Sequence, residues 1–304
     1  MPAGRQTFPF LPRHRHVVGL PFGGIAGRRL GVGTDVIGSR PYQPGDPVSS
    51  IDWYASARIS AAVGRDEFVV RSRAADEAPR VVVVADRRPG MGIYDPSLPW
   101  LSKPAALAEA TAVIAASAAA ANSEIGSLDF GSGEPEWLPP STRDVAGLVV
   151  DRQRGAPFGA PALERAFAFL GARRTQLPPG SFVFVLSDFL DGPADEVWLT
   201  ASAYGWDLIP IVIQDPVWEQ SFPQVGSVVV PVRDAASTSV LPLRLTRREA
   251  AARRDANERR LADLQRSFGS LDLDWVMLVT SDPEAVDRAF GEWAEERRRW
   301  RRAG

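Results

Sequence analysis

Cysteine is absent from the 304 residues, which removes disulfides, thiolate nucleophiles and zinc–thiolate sites together. Histidine is nearly absent: His14 and His16 alternate with Arg13 and Arg15. Alternating cations with no carboxylate nearby in sequence make a poor metal pair, so this stretch reads as a solvated arm. Lysine is scarcer still, since Lys103 stands alone and arginine carries the basic charge. The formal net charge is -2, which gives no bulk electrostatic case for nucleic acid or anionic membrane. Long apolar runs are also missing. The most apolar helical stretch, 105–121, is mostly alanine and contains Glu109, Thr111 and Ser117, so no membrane span is expected. The first fifteen residues are interrupted by Pro2, Pro9 and Pro12 and lack the apolar centre of a signal peptide. A cytoplasmic location is expected.

What is present suits a folded α/β chain. Hydrophobic content is 45% and charged content 24%, and the length allows one large core plus a small accessory module. The run Arg80-Val-Val-Val-Val-Ala-Asp86 is apolar without alternation, as in a central strand covered on both faces. It ends on an aspartate, at the edge where open α/β sheets place their sites. A second such run, Phe182-Val-Phe-Val-Leu-Ser-Asp188, ends the same way. Between and after them, helical stretches at 103–122, 142–150, 162–170 and 195–204 alternate with strands at 125–130 and 207–213. That alternation predicts a doubly wound, mostly parallel sheet over residues 79–304. Beyond it come a hairpin at 228–232 and 240–245, a helix at 247–268 capped by Thr246 and Glu249, a strand at 271–279, and a last helix opened by Pro283. On that last helix Phe290, Trp293, Arg297 and Trp300 form one stripe, read as packing on the sheet.

Residues 1–20 read as a flexible lead-in, and 21–78 as a small β-rich module. The glycines at 23, 24, 27, 31, 33 and 38 suggest a phosphate loop only at first sight. Pro41, Pro44 and Pro47 follow them and forbid the helix such a loop must open. Asp46 and Asp52, with Arg40 and Arg58, read as a structural network of turn carboxylates and arginine forks.

The stretch Ser39-Arg-Pro-Tyr-Gln-Pro-Gly-Asp-Pro-Val-Ser-Ser-Ile-Asp-Trp-Tyr-Ala-Ser-Ala-Arg58 resembles the signature of a bacterial family catalogued as domain of unknown function 58. Arg40, Pro41, Tyr42, Gly45, Asp46, Asp52, Trp53 and Arg58 carry it, and the likeness continues through Asp86, the strand at 126–130, Ser187-Asp188-Phe189 and Asp215-Pro216. The resemblance implies a von Willebrand factor A-like fold in a protein that is not an enzyme. It also implies an adaptor for a MoxR-type AAA+ ATPase, and through it for a client protein. The signature residues are expected to tie the module to the sheet domain.

That fold usually carries a metal-ion-dependent adhesion site with Asp-x-Ser-x-Ser at the sheet edge, hard oxygen ligands for Mg²⁺. Here the resemblance places Asp86 first, but Arg88 and Gly90 stand at the two serine positions. Arginine has no acceptor and glycine no side chain, so the site is expected to be degenerate and without a metal. Asp188 holds the second aspartate position, and Thr142 or Ser141 could stand in for the threonine. Arg88 is then expected to pair with Asp86 or Asp188 as a built-in substitute for the metal, while still receiving an acidic residue from a partner. The alternative reading is a metal-assisted hydrolase on clustered aspartates. It requires Asp46, Asp52, Asp86 and Asp188 to converge.

Overall fold

A computed structural model describes residues 6–12, 20–30, 36–43, 46–92, 100–141, 145–155, 157–159, 163–226, 228–233 and 240–303. The expectations for His14, His16, Gly45 and Thr142 therefore fall outside the described residues. An antiparallel sheet opens the chain, with β1 (Leu20–Leu30) and β2 (Val36–Pro41) on either side of β3 (Val69–Ala78). Between β2 and β3 lies a helix that the sequence reading did not anticipate, α1 (Trp53–Val63). Its start is fixed by Asp52, which accepts a hydrogen bond from the Ala55 amide at 3.0 Å, and its end by Gly64 in the left-handed region at φ 73°.

After β3 only Pro79 intervenes before β4 (Arg80–Ala85). There follow α2 (Lys103–Ala120), β5 (Glu124–Asp129), β6 (Glu136–Ser141), α3 (Ala146–Gly155), α4 (Leu163–Ala172) and β7 (Phe182–Ser187). The remainder is α5 (Asp195–Ser202), β8 (Asp207–Ile213), the hairpin β9 (Val228–Arg233) and β10 (Val240–Leu245), α6 (Arg247–Ser270), β11 (Val276–Leu278) and α7 (Pro283–Ala303). Six strands form one sheet in the order β11-β8-β7-β4-β5-β6. All neighbours run parallel except β6, which is antiparallel to β5. The doubly wound, mostly parallel sheet expected from the alternation is present.

The unbroken apolar runs have a direct cause in this layering. Val81, Val83, Phe182 and Phe184 face one core with Ile114 of α2 and Phe290 and Trp293 of α7. Val82, Val84, Val183 and Val185 face the other, with Phe167 of α4, Trp198 of α5 and Phe268 of α6. Helices on both sides leave no wet face to alternate with. Alanine fills much of α2, and its small side chain lets that helix lie close to the sheet. The edge strand β6 escaped the sequence reading because it contains Pro139 and Pro140, which only an edge strand tolerates.

Residues 6–12 correct the lead-in reading. Phe8 and Phe10 are buried in the main core, with Phe8 stacked on Phe290 at 5.2 Å between ring centroids and edge-on to Trp293. The Phe8 amide donates to Ser117 Oγ at 3.1 Å. Two aromatic side chains bury enough apolar area to hold this strap against its chain entropy. On α7 the stripe is packed as expected at Phe290, Trp293 and Arg297, but Trp300 remains 75% exposed.

Candidate functional site at the carboxyl edge of the sheet

The parallel strands end side by side, and the turns after β4, β7 and β8 deliver Asp86, Asp188 and Asp215 to one edge. Asp86 is buried. Ser187 Oγ donates to its Oδ2 at 2.6 Å, and the Arg88 amide donates to its Oδ1 at 3.0 Å. The Arg88 side chain folds back over it. Nε reaches Oδ1 at 3.1 Å and Oδ2 at 2.9 Å, and Nη2 reaches Oδ2 at 2.6 Å. Both carboxylate oxygens are thus held by a planar fork and by neutral donors. Arg88 Nη2 also approaches Ser187 Oγ at 3.3 Å and Asp188 Oδ1 at 3.5 Å, and Nη1 donates to the Asp191 carbonyl.

Asp188, likewise buried, has a second cation of its own. Lys103, in the first turn of α2, donates from Nζ to Asp188 Oδ2 at 2.7 Å and to Glu219 Oε1 at 2.5 Å. Glu219 Oε2 in turn accepts from the Asp215 amide at 2.8 Å. Asp215 turns its own chain, accepting from the amides of Val217 and Trp218, and its Oδ2 takes the Trp100 indole N–H at 2.9 Å. Burial pulls the Lys103 ammonium down, yet Asp188 and Glu219 outweigh it and hold the group above its ordinary value. Burial pushes Glu219 above the usual carboxylate range; Lys103 and the Asp215 amide only partly offset it, and the charge of Asp188 adds to the rise. Phe189, following Asp188, sits in the left-handed region at φ 48°, a conformation an aromatic residue rarely adopts. Its amide donates to Ser187 Oγ at 3.0 Å, which helps fix the turn.

Arg87 points the other way. It is buried, donates from Nη2 to the Gln153 carbonyl at 2.6 Å and to Gln153 Oε1, and lies 4.9 Å from the Phe158 ring centroid. Gln153 Nε2 passes the contact on to Asp129 Oδ2 at 3.3 Å. Burial raises the Asp129 carboxyl and lowers the Arg87 guanidinium, the Coulombic attraction between them only partly offsetting it. This second network ties α3 to the end of β5.

The expected site residues separate into two groups. Asp86, Arg88 and Asp188 meet at the edge, and Gly90 lies beside them: a Cβ placed on it would stand 3.8 Å from Asp188 Oδ2. Asp46 instead takes the fork of Arg40 at 2.7 and 2.6 Å, and Asp52 takes Arg71 Nε at 2.9 Å. Tyr42 and Trp53 each meet Phe68 edge-on, while Arg58 is exposed. These signature residues organise their own module, contrary to the expectation that they tie it to the sheet, and neither aspartate shares a partner with Asp86 or Asp188. Arg88 turns Nε and Nη2 onto Asp86 and one Nη1 N–H onto the Asp191 carbonyl, so most of its donors are engaged within the edge.

Lys103 and Glu219 were not foreseen. The available signal was compositional, since the only lysine of an arginine-rich chain occupies a position where a compact ammonium fits between two carboxylates. As a divalent-cation site the donor set does not fit. Both oxygens of Asp86 face a guanidinium, Asp188 faces an ammonium, and no group of three or more potential ligands occurs among the described residues.

Solved structures to which the chain shows similarity include the conserved hypothetical protein BatB from Bacteroides thetaiotaomicron, at 13% identity and TM-score 0.42, covering 72% of this chain and 100% of that one. An aerotolerance-related membrane protein from Bacteroides fragilis gives 12% identity and TM-score 0.41 over the same shares. The pilus adhesin SpaC from Lactobacillus rhamnosus gives 11% and 0.43, covering 75% of this chain and 32% of that one. At this level of likeness the sheet order, not the neighbours, carries the fold assignment. No curated protein matches the chain. Among the described residues no helix is long and apolar enough to cross a membrane. Residues 38–265 match the family described as "Protein of unknown function DUF58", and the chain, with its mostly parallel α/β sheet, belongs to that family.

Proposed function

We propose that the chain is a non-enzymatic interaction domain whose sheet edge is organised by two side-chain cations, Arg88 and Lys103, where the fold usually uses a divalent ion. The observation that carries this reading is the Arg88 fork on both oxygens of Asp86, repeated in kind by Lys103 on Asp188. Such an edge suits shape and charge display. The hydrolase alternative needs four converging aspartates, and Asp46 and Asp52 are engaged by arginines of the N-terminal module.

The partner we assign is the MoxR-type AAA+ ATPase that the family resemblance implies. The rim offers it Asp191, whose side chain is 95% exposed beside Arg88. The test is capture of a MoxR-type ATPase, encoded beside the gene for this chain, on immobilised protein. Asp191→Arg is expected to reduce capture about ten-fold through like-charge or shape mismatch with an unchanged melting temperature. Full capture by Asp191→Arg removes the edge as the docking face, and no capture by the unaltered chain removes the partner.

A further inference from the structure

Helix α6 carries three polar side chains at steps of three, Arg254, Asn257 and Arg260, a spacing that makes each the neighbour of the next along the helix surface. All three donate to main-chain carbonyls of one segment, the turn that follows β8. Arg254 Nε donates to the Phe222 carbonyl at 2.8 Å, and Asn257 Nδ2 to those of Trp218 and Ser221 at 3.0 and 2.5 Å. Arg260 Nη2 donates to the Glu219 carbonyl at 2.6 Å, while its Nη1 donates to Asn257 Oδ1 at 3.1 Å and joins the two side chains. The Ser221 hydroxyl adds a bond to Glu258 Oε1 at 2.8 Å.

The need for these donors follows from the turn. Its amides are used internally, those of Val217 and Trp218 on the Asp215 carboxylate and those of Glu219 and Gln220 on the Asp215 carbonyl. A main-chain carbonyl packed against a helix must find a donor, and α6 supplies one to Trp218, Glu219, Ser221 and Phe222. Asn257 is buried, so water does not take over its bonds when the amide is removed. Bonds to the main chain fix the path of the turn itself.

What the turn presents is Glu219. Its carboxylate reaches Lys103 and the Asp215 amide, and its carbonyl is held by Arg260. Burial lowers the Arg260 guanidinium; attraction to Glu219 and Asp188 only partly offsets this, and Arg253 adds to the fall. Arg260 is thus within electrostatic reach of the same two carboxylates that Lys103 pairs. Helix α6 is itself fixed at its start by the Thr246–Glu249 capping box and near its end by Phe268 in the second core. A site side chain keeps its geometry only when the groups behind it are held in turn.

We infer that Asn257 and Arg260 are positioning residues of the sheet edge: through the main chain of the turn they hold Glu219 on Lys103. The inference deepens the reading of this edge as organised by side-chain cations, and it rests on that reading. The path runs through Glu219, since the side chains of Asn257 and Arg260 are engaged with the turn and with each other.

The test uses Lys103 as the chain's single lysine. NMR of the full chain made with isotope-labelled lysine gives one ε-methylene peak, whose position reads the charges around Nζ. Glu219→Gln supplies the reference displacement. Asn257→Ala, which changes no charge, and Arg260→Met are each expected to move the peak most of the way to that reference. Arg259→Met, exposed on the same helix, is expected to leave it in place. Arg260 is half-buried, so Arg260→Met keeps the test readable if Asn257→Ala does not fold. An unmoved peak alongside a lower unfolding midpoint would show support of the fold alone and overturn the inference. Equal displacement by Arg260→Met and Arg259→Met would reduce the effect to loss of a charge and overturn it as well. An unmoved peak in Glu219→Gln is a separate outcome, which would take Glu219 away from Lys103 and overturn the reading of the edge itself.

Discussion

Arg88→Ala is expected to destabilise the chain by about 3–5 kcal/mol, the range for removing one partner of a buried ion pair. The side chain of Asp86 is completely buried and that of Arg88 only 18% exposed, so water cannot replace the lost guanidinium. What remains on the carboxylate is the Ser187 hydroxyl and the residue-88 amide. Urea unfolding read by tryptophan fluorescence measures the loss. The informative partner experiment is Asp86→Asn with Arg88→Met. Removing both charges eliminates the unpaired anion, and an asparagine keeps an acceptor for the amide and a donor for Ser187, so most of the stability is expected to return. If the double variant is as unstable as Arg88→Ala, the fork contributes through its contacts with Ser187, Asp188 and Asp191, and not through the charge on Asp86.

Lys103→Met carries the second large effect and a pH signature. The substitution keeps the length of the side chain but leaves Asp188 and Glu219 buried against each other without a cation. About 3–5 kcal/mol is again expected near neutral pH. Like-charged neighbours raise a carboxyl's pKa, and Glu219 is already pushed above the usual range by burial. The folded variant thus binds a proton that the unfolded chain, with an ordinary glutamate near 4.3, has released. A group whose folded pKa is raised contributes stability in acid and loses it as pH rises through the folded value. The Lys103→Met deficit is therefore expected to be small near the unfolded glutamate pKa and to grow toward neutrality. Urea midpoints across that range test it. A deficit independent of pH would mean that Lys103 acts through packing of its alkyl chain alone.

Particular residues show what was legible in advance. The four valines after Arg80 and the run from Phe182 announced buried parallel strands, because a strand covered on both faces has no polar positions to interrupt it. Aspartates at the ends of those strands marked the edge, and Arg88 beside Asp86 was close enough in sequence for its pairing to be foreseen. Lys103 was not, because its partners Asp188 and Glu219 lie 85 and 116 residues further along the chain and meet it only in the folded sheet. Glu219 depends in the same way on the turn after β8. Phe8 and Phe10 were hidden by the prolines around them, whose usual meaning is a loop. Tertiary burial of two aromatic rings overrode that signal.

The measurement that bears most directly on the central claim is calorimetric titration of Mg²⁺ and Mn²⁺ into the purified chain, paired with melting curves in EDTA. With Arg88 and Lys103 organising the edge, no binding heat is expected and the melting temperature should not move. Stoichiometric binding abolished by Asp86→Ala would contradict the claim, because it would show Arg88 leaving the carboxylate to make way for a cation.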